Sequence, residues 1–226
     1  MFENRSNGLL LRNMVYCSRK LRSLPGGVIQ LGFQIIAVCL LLTFYGCYFA
    51  KMIGQKRRGI QTDQIGKGKV GFVKAVEVTM KVATFLVPLA ELASIFWNTT
   101  CMPTWIRILG AVIGSLGVIT FICAVLTMRD SWRAGVSPTD RTELVTAGIF
   151  QISRNPAFLG FDLVYIGLGL MFFNWGLWAV SAFAALMFHL QIVNVEEVFL
   201  QETFGEDYLA YCADVRRYLG RRRKRS

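Results

Sequence analysis

The feature that most limits the fold of this chain is a charge-free apolar run at residues 27–50. Crossing the hydrocarbon core of a bilayer as a helix takes about 20 apolar residues. Further apolar segments follow at residues 82–97, 105–128 and 156–190. Composition agrees, because 54% of the residues are hydrophobic and only 17% are charged, against about a quarter charged in a typical soluble domain. The chain is therefore predicted to be an integral membrane protein.

The last apolar segment is too long for a single span and is interrupted at Asn174 and Gly176. Such residues inside an apolar run mark a turn, so we predict a tight hairpin of two short helices. The predicted fold is all-α, with about five transmembrane helices, the last two forming the hairpin, followed by a cytoplasmic C-terminal helix. We expect one structural domain, made of an N-terminal three-helix membrane part (residues 1–128) and a core of loop, hairpin and C-terminal helix (residues 129–226).

The third apolar segment carries a row of small residues, Gly110, Gly114 and Gly117, together with Ser115. Small residues at this spacing let a second helix approach closely inside a membrane. This face predicts helix packing and not a ligand site.

Basic residues lie in blocks beside the apolar segments. Eight Lys or Arg fall in residues 51–81 and seven in residues 216–225, within a net charge of +11. Cytoplasmic loops of membrane proteins are enriched in such residues, and no nucleic-acid-binding signature accompanies them, so nucleic acid is not expected as a partner. We predict that residues 51–81, residues 129–155 and the tail are cytoplasmic, and that residues 98–104 and the N-terminus are external. The five basic residues of the N-terminus oppose this, and residues 9–21 have the alternative of lying along the interface as an amphipathic helix.

The six cysteines are scattered along the chain, and no two of them form a C-x-x-C pair. Metal and redox sites in intracellular proteins commonly use such pairs. We therefore predict no metal site.

The polar stretch before the hairpin contains the first candidate site residues. Asn155 followed by Pro156 predicts a helix start, with Asn155 as the N-cap and Pro156 at the first position. Arg154 then lies beside a helix N-terminus, a place that attracts carboxylates and phosphates; the alternative is an anchor for lipid headgroups. Asp162 falls two turns into the same helix, where a charge marks either a functional site or a pairing with an interfacial Arg.

The only histidine and two adjacent carboxylates occur where the last apolar helix leaves the membrane. At about 100° per residue, His189 and Glu196 fall on one stripe of a helix, with Glu197 at its edge. Singly, each has a structural alternative, as a hydrogen-bonded interfacial residue or a solvated helix turn. Their convergence with Arg154 on one membrane face predicts a site.

These motifs resemble those of the isoprenylcysteine carboxyl methyltransferase family, in particular its bacterial members, and more distantly those of membrane phospholipid methyltransferases. The similarity runs over residues 131–219 and is weak over the first hundred residues, apart from the loop RRGIQTDQIGKGK. The family pattern is R-[HN]-P-x-[YF]-x-G, a helical hairpin, then a Glu pair followed by F-G-x-x-Y. Eukaryotic members have His and Tyr in place of Asn155 and Phe158. The matching residues here are Arg154, Asn155, Pro156, Phe158, Gly160, Glu196, Glu197, Phe204, Gly205 and Tyr208.

The resemblance implies a methyltransferase, most simply an O-methyltransferase, that uses S-adenosylmethionine and a lipophilic acceptor from the bilayer, with a carboxylate as one candidate for its reacting group. It implies a pocket between the hairpin and the C-terminal helix, open to the cytoplasm for the cofactor and to lipid for the acceptor. If the acceptor is a carboxylate, Arg217 or Arg216 would align it in catalysis after the tail folds back to the membrane. The implied cofactor-binding residues are Arg154, Asn155, Pro156, Phe158, Gly160, His189, Glu196 and Glu197. Glu196 or Glu197 would hold the cofactor's ammonium, and Arg154 its carboxylate.

Two other functions stay open on the sequence. One is an NADPH-dependent membrane reductase of the sterol-reductase type, which is broadly similar in this region. The other is a small transporter or lipid-binding protein that uses Asp162 and Glu91 inside the bilayer. The segments TELVTAGIF and FGEDY are closer to the methyltransferases, and the chain shows no internal repeat of the kind common in transporters.

Overall fold

The computed structural model describes residues 27–136 and 143–221, and within these ranges the chain is helical, with two isolated β-bridges and no strand. The predicted all-α fold is confirmed. The N-terminal segment, with its predicted external position and its alternative as an interfacial amphipathic helix, lies outside the described residues, as does the basic end at residues 222–226. The helices are α1 (Gly27–Arg57), α2 (Gly71–Phe96), α3 (Thr104–Met128), α4 (Pro156–Met171), α5 (Trp175–Gln191) and α6 (Glu197–Asp214), with a π-helical turn (Ile192–Glu196) between α5 and α6.

Within the described residues, four helical segments are long and apolar enough to span a membrane: α1, α2, α3 and the continuous helical stretch Trp175–Asp214. The fifth, α4, is a shorter apolar helix of 16 residues, which at about 1.5 Å per residue is shorter than the bilayer core of about 30 Å. The protein is a multi-pass membrane protein.

Helix α4 is held tightly against α3 by glycines on both helices. A Cβ atom added at Gly167 would lie 2.5 Å from the backbone nitrogen of Gly114, and one at Gly117 would lie 2.7 Å from the backbone nitrogen of Val164. No side chain fits at these distances, so the two backbones are in direct contact. The small-residue face predicted for the third apolar segment is confirmed as a packing surface.

The turn between α4 and α5 is built around Asn174, as the interruption of the apolar run predicted. Its Oδ1 accepts a hydrogen bond from the backbone nitrogen of Leu177 at 2.8 Å, which caps α5. Its Nδ2 donates to Ser94 Oγ at 2.7 Å and to Thr99 Oγ1 at 3.1 Å. One side chain thus joins the hairpin turn to the end of α2.

At the other end of the bundle, the loop at residues 58–70 is tied to the segment after α3. The buried Gln55 donates from Nε2 to the carbonyl of Trp132 at 3.0 Å and accepts from Thr62 Oγ1 at 2.7 Å. The backbone nitrogen of Ala134 donates to the carbonyl of Thr62 at 3.0 Å. Since the helices alternate in direction, this loop, residues 129–136, residues 143–155 and residues 192–221 share one membrane face, which we call the site face.

Candidate functional site

The site face is organised around the start of α4, which begins at Pro156 as predicted. Asn155 is the N-cap residue, as predicted, but its side chain makes no capping hydrogen bond. Instead its Nδ2 donates to the backbone carbonyl of Arg217 at 3.1 Å. The C-terminal tail lies over the start of α4 and accepts a hydrogen bond from this side-chain amide.

The tail folds back to the membrane, as the role predicted for Arg217 requires. The backbone nitrogen of Arg154 donates to the carbonyl of Arg216 at 3.2 Å, and that of Gly220 donates to Ile152 at 2.7 Å. The side chain of Arg216 is exposed, so Arg216 contributes its backbone to this contact. Of the two candidate arginines, Arg217 is the one whose side chain enters the site.

Two arginines converge on the carboxylate of Glu197. Arg217 binds it in a bidentate manner, from Nε to Oε1 at 2.8 Å and from Nη2 to Oε2 at 2.7 Å. Arg154 Nη2 lies 3.0 Å from Oε1 of the same group. The hydrogen bonds that Arg217 donates to the carboxylate of Glu197 raise the pKa of Arg217 above its ordinary value, so Arg217 stays charged at any physiological pH. Glu197 therefore links the start of α4, the start of α6 and the tail.

The F-G-x-x-Y motif has a structural explanation in this cluster. Gly205 adopts φ 49° and ψ −122° inside α6, a conformation that side-chain-bearing residues rarely take. The resulting kink lets Tyr208 turn inward, where it is 3% exposed. Its hydroxyl accepts a hydrogen bond from Arg154 Nη1 at 3.1 Å, and the same nitrogen contacts the sulfur of Cys212.

His189 pairs with a residue that the sequence did not single out. Its Nδ1 lies 2.5 Å from the hydroxyl of Tyr218, and the two rings are stacked with centroids 6.1 Å apart. Burial raises the pKa of Tyr218, while the neighbouring Arg217 opposes the shift. Its position directly after Arg217 is the one sequence signal that could have indicated Tyr218.

Glu196 and Glu197 reach different partners at the π-helical turn, because neighbouring residues on a helix do not face the same way. A π-turn takes about one residue more than an α-turn, so the predicted stripe of His189 and Glu196 is not formed as a regular helix would form it. Glu197 meets the arginines, whereas Glu196 lies in electrostatic range of Glu77 and Lys69 and is stabilised by the amide of Gln191. No Gly or Pro in this segment signals the turn.

The other residues of the R-[HN]-P-x-[YF]-x-G motif shape the packing of α4. A Cβ atom at Gly160 would lie 2.9 Å from the Cβ of Phe121 on α3. The ring of Phe158 packs against that of Phe188, with centroids 5.1 Å apart, and Pro156 is buried. Their contacts with a cofactor stay predictions.

Three buried polar atoms near this cluster have no hydrogen-bond partner in the described part of the chain: Arg154 Nε, Gln191 Oε1 and Asp162 Oδ1. Asp162 makes no ion pair with an Arg of the described ranges, which was the structural alternative for this residue. Buried donors and acceptors are normally satisfied. Arg154 Nε can donate a hydrogen bond to a ligand, and Gln191 Oε1 and Asp162 Oδ1 can each accept one.

Comparison with known proteins gives the same family that the motifs resemble. The phospholipid methyltransferase family model matches residues 105–207. The protein-S-isoprenylcysteine O-methyltransferase of Xenopus laevis is 28% identical over 110 residues, 48% of this chain and 38% of that protein. The A form of Arabidopsis thaliana is 27% identical over 113 residues (49% and 57%), and the Saccharomyces cerevisiae enzyme is 30% identical over 106 residues (46% and 44%). The matched part is thus about half the length of these relatives or less, and the predicted similarity is confirmed.

Proposed function

We propose that this chain, similar over its matched part to protein-S-isoprenylcysteine O-methyltransferases, is a membrane methyltransferase that uses S-adenosylmethionine and a lipophilic acceptor. The observation that carries the proposal is the cluster of Arg154, Glu197 and Arg217 beside the unsatisfied groups of Gln191 and Arg154. It lies where the family motifs of the hairpin and of α6 meet. We propose that the reacting atom of the acceptor is an oxygen, with a carboxylate as the first candidate.

The free polar groups of the site suit the amino-acid end of the cofactor. Gln191 Oε1 and the carboxylate of Glu196 would receive its ammonium, and Arg154 Nε would donate to its carboxylate. Glu197 is already bound by two arginines, so Glu196 is the better partner for a cation. When bound, S-adenosylmethionine supplies an electrophilic methyl group on a sulfonium. Transfer of that group depends on alignment more than on acid–base chemistry.

Arg217 is the residue that we assign to the acceptor. Its side chain is 34% exposed, compared with 9% for Arg154, so it retains surface for a second anionic partner. Glu197 fixes the plane of its guanidinium, which is the group that binds carboxylates in a defined orientation. Methylation of a carboxylate releases no proton, so no general base is required. His189 and Tyr218, hydrogen-bonded to each other beside Arg217, would order the pocket.

The orientation of the site face belongs to the same proposal. The eight basic residues of residues 51–81 lie on this face or next to it, and such residues favour the cytoplasmic side. A cytoplasmic site face gives the site access to a soluble cofactor. The acceptor would enter from the bilayer, beside α4 and α5.

The proposal is tested with the purified full-length protein in lipid nanodiscs. Calorimetric titration with S-adenosylhomocysteine should show saturable binding, and titration with NADPH should show none. Labelled methyl groups from S-adenosylmethionine should then pass to an S-prenylcysteine with a free carboxylate and be released as methanol by mild base, which identifies an ester. The same compound with its carboxylate converted to an amide is the control. Binding of NADPH without S-adenosylhomocysteine would overturn the proposal in favour of a reductase.

A further inference from the structure

We infer that the loop at residues 58–70, between α1 and α2, is part of the ligand site, and that Lys69 and Glu77 are positioning residues for Gln191 and Glu196. This rests on the proposed function and extends it to a part of the chain that precedes the family match at residues 105–207. The loop and α2 would thereby fix the group that receives the cofactor's ammonium.

The carboxylate of Glu77 joins the loop to the end of α5. Glu77 lies near the start of α2 and is fully buried. It accepts a hydrogen bond from the backbone nitrogen of Gly66 at 2.5 Å and forms an ion pair with Lys69. It also accepts from Gln191 Nε2 at 3.3 Å, across 114 residues of sequence. Gly66, with φ 73°, makes the turn that brings Lys69 back over α2.

This contact determines which way the amide of Gln191 points. An ionised carboxylate only accepts hydrogen bonds, so Gln191 must turn its nitrogen toward Glu77. Its oxygen then faces away from Glu77 as an acceptor, and this atom is buried without a partner among the described residues. Gln191 itself is 0% exposed. A buried and unsatisfied acceptor held in this orientation is suited to a donor such as an ammonium.

The balance of charge around Gln191 leads to the same ligand. Glu77 and Glu196 are two carboxylates in range of a single ammonium, that of Lys69. Glu197 is compensated separately by Arg154 and Arg217. Lys69 is already paired with Glu77, so Glu196 has no cation of its own among the described residues. The ammonium of the cofactor would pair with Glu196 and favour its ionised form.

The test compares two ligands that differ only in this ammonium. They are S-adenosylhomocysteine and its analogue without the α-amino group, titrated against the wild-type protein, Glu77→Gln and Lys69→Met in nanodiscs. We expect the wild-type protein to prefer S-adenosylhomocysteine by about tenfold or more. Glu77→Gln frees the amide of Gln191 to turn, so it should reduce that preference to about twofold or less while leaving the affinity for the amine-free analogue within about twofold.

Two further variants show whether a changed ligand preference is caused by an effect on folding. Lys81 forms an ion pair with Asp63 of the same loop at 2.6 Å, and the two side chains are 55% and 37% exposed. Lys81→Met therefore removes a comparable lysine away from Gln191 and should keep the wild-type preference. If Lys69→Met unfolds because it leaves Glu77 buried and unpaired, the double variant Lys69→Met/Glu77→Gln should restore the thermal unfolding temperature and still lack the preference.

The outcomes separate this inference from the proposed function. An unchanged preference in Glu77→Gln, or an equal loss of affinity for both ligands, would overturn the role of the loop while the proposed function stood. If the wild-type protein binds S-adenosylhomocysteine no better than the amine-free analogue, the role of the loop is likewise overturned and the proposed function still stands. Failure of the wild-type protein to bind S-adenosylhomocysteine at all would overturn both.

Discussion

Arg217 holds the carboxylate of Glu197 with two parallel hydrogen bonds of 2.8 and 2.7 Å, across 20 residues of chain. This pair locks the C-terminal tail against the start of α6 and brings the tail to the membrane face where α4 begins. Bidentate Arg–carboxylate pairs are among the stronger and more directional polar contacts in proteins. The tail therefore forms one side of the candidate site.

The first prediction separates acceptor alignment from cofactor binding. Arg217→Ala should lower turnover of a carboxylate acceptor by about tenfold or more, because the guanidinium that orients it is lost. Affinity for S-adenosylhomocysteine should stay within about threefold, since Arg154 still binds Glu197. Kinetics of methyl transfer and calorimetric titration measure the two effects.

The matched control for Arg217 is Arg57→Ala, which removes an exposed arginine at the end of α1. Substitutions of exposed residues usually change stability by less than about 0.5 kcal/mol, so this variant should behave as the wild-type protein does. An equal loss of cofactor affinity and turnover in Arg217→Ala would place Arg217 in the cofactor pocket instead.

The second prediction concerns Glu197 itself. Glu197→Gln leaves the largely buried Arg154 next to Arg217 without an anionic partner. Breaking a buried ion pair on one side costs about 3–5 kcal/mol, and the partial exposure of Arg217 reduces this to about 2–3 kcal/mol here. We expect a clear drop in thermal unfolding temperature. The double variant Glu197→Gln/Arg154→Met should recover part of that loss, and a double variant less stable than Glu197→Gln would contradict the pairing.

The third prediction tests the kink in α6. Gly205→Ala must adopt φ 49° and ψ −122°, at a cost of about 1–3 kcal/mol, or straighten the helix and withdraw Tyr208 from Arg154. Either result lowers stability. Gly54→Ala is the control, because Gly54 lies within α1 with nothing near its missing Cβ, and it should be neutral or stabilising. Equal effects of the two substitutions would argue against the kink.

The fourth prediction concerns orientation in the membrane. Cys101 lies exposed in the link between α2 and α3, on the face opposite the site face. In a variant that keeps only this cysteine, a membrane-impermeant maleimide should label intact cells, and a reporter fused after Ser226 should read cytoplasmic. If the C-terminal reporter reads external, the site face is not cytoplasmic, and a soluble cytoplasmic cofactor could not reach the site.

The sequence was sufficient to predict the helices and the hairpin because both depend on local patterns. Long apolar runs specify the membrane helices, and Asn174 marks the turn between α4 and α5. The glycines of α3 indicated close packing against another helix. The residues of α4 that pack against them could be identified only from the fold. The tail was expected to fold back to the membrane, because the acceptor-aligning role predicted for Arg217 requires it.

The parts that could not be predicted depend on contacts between distant segments. The π-helical turn contains no Gly or Pro, so nothing local indicated that the predicted stripe of His189 and Glu196 would be interrupted there. The bond between Gln191 and Glu77 joins residues 114 positions apart. Asn155 has the residue type and position of an N-cap, but its side chain donates to the tail and makes no capping hydrogen bond.

The most direct test of the central claim is calorimetric titration of S-adenosylhomocysteine into the wild-type protein and Glu196→Gln. We predict saturable binding to the wild-type protein and about tenfold weaker binding to the variant, equivalent to about 1.4 kcal/mol. The thermal unfolding temperature should be nearly unchanged, because Glu196 makes none of the ion pairs that join the tail to α4. Glu202→Gln, an exposed carboxylate on α6, is the control and should bind normally. No binding to the wild-type protein, or wild-type affinity in Glu196→Gln, would contradict the account.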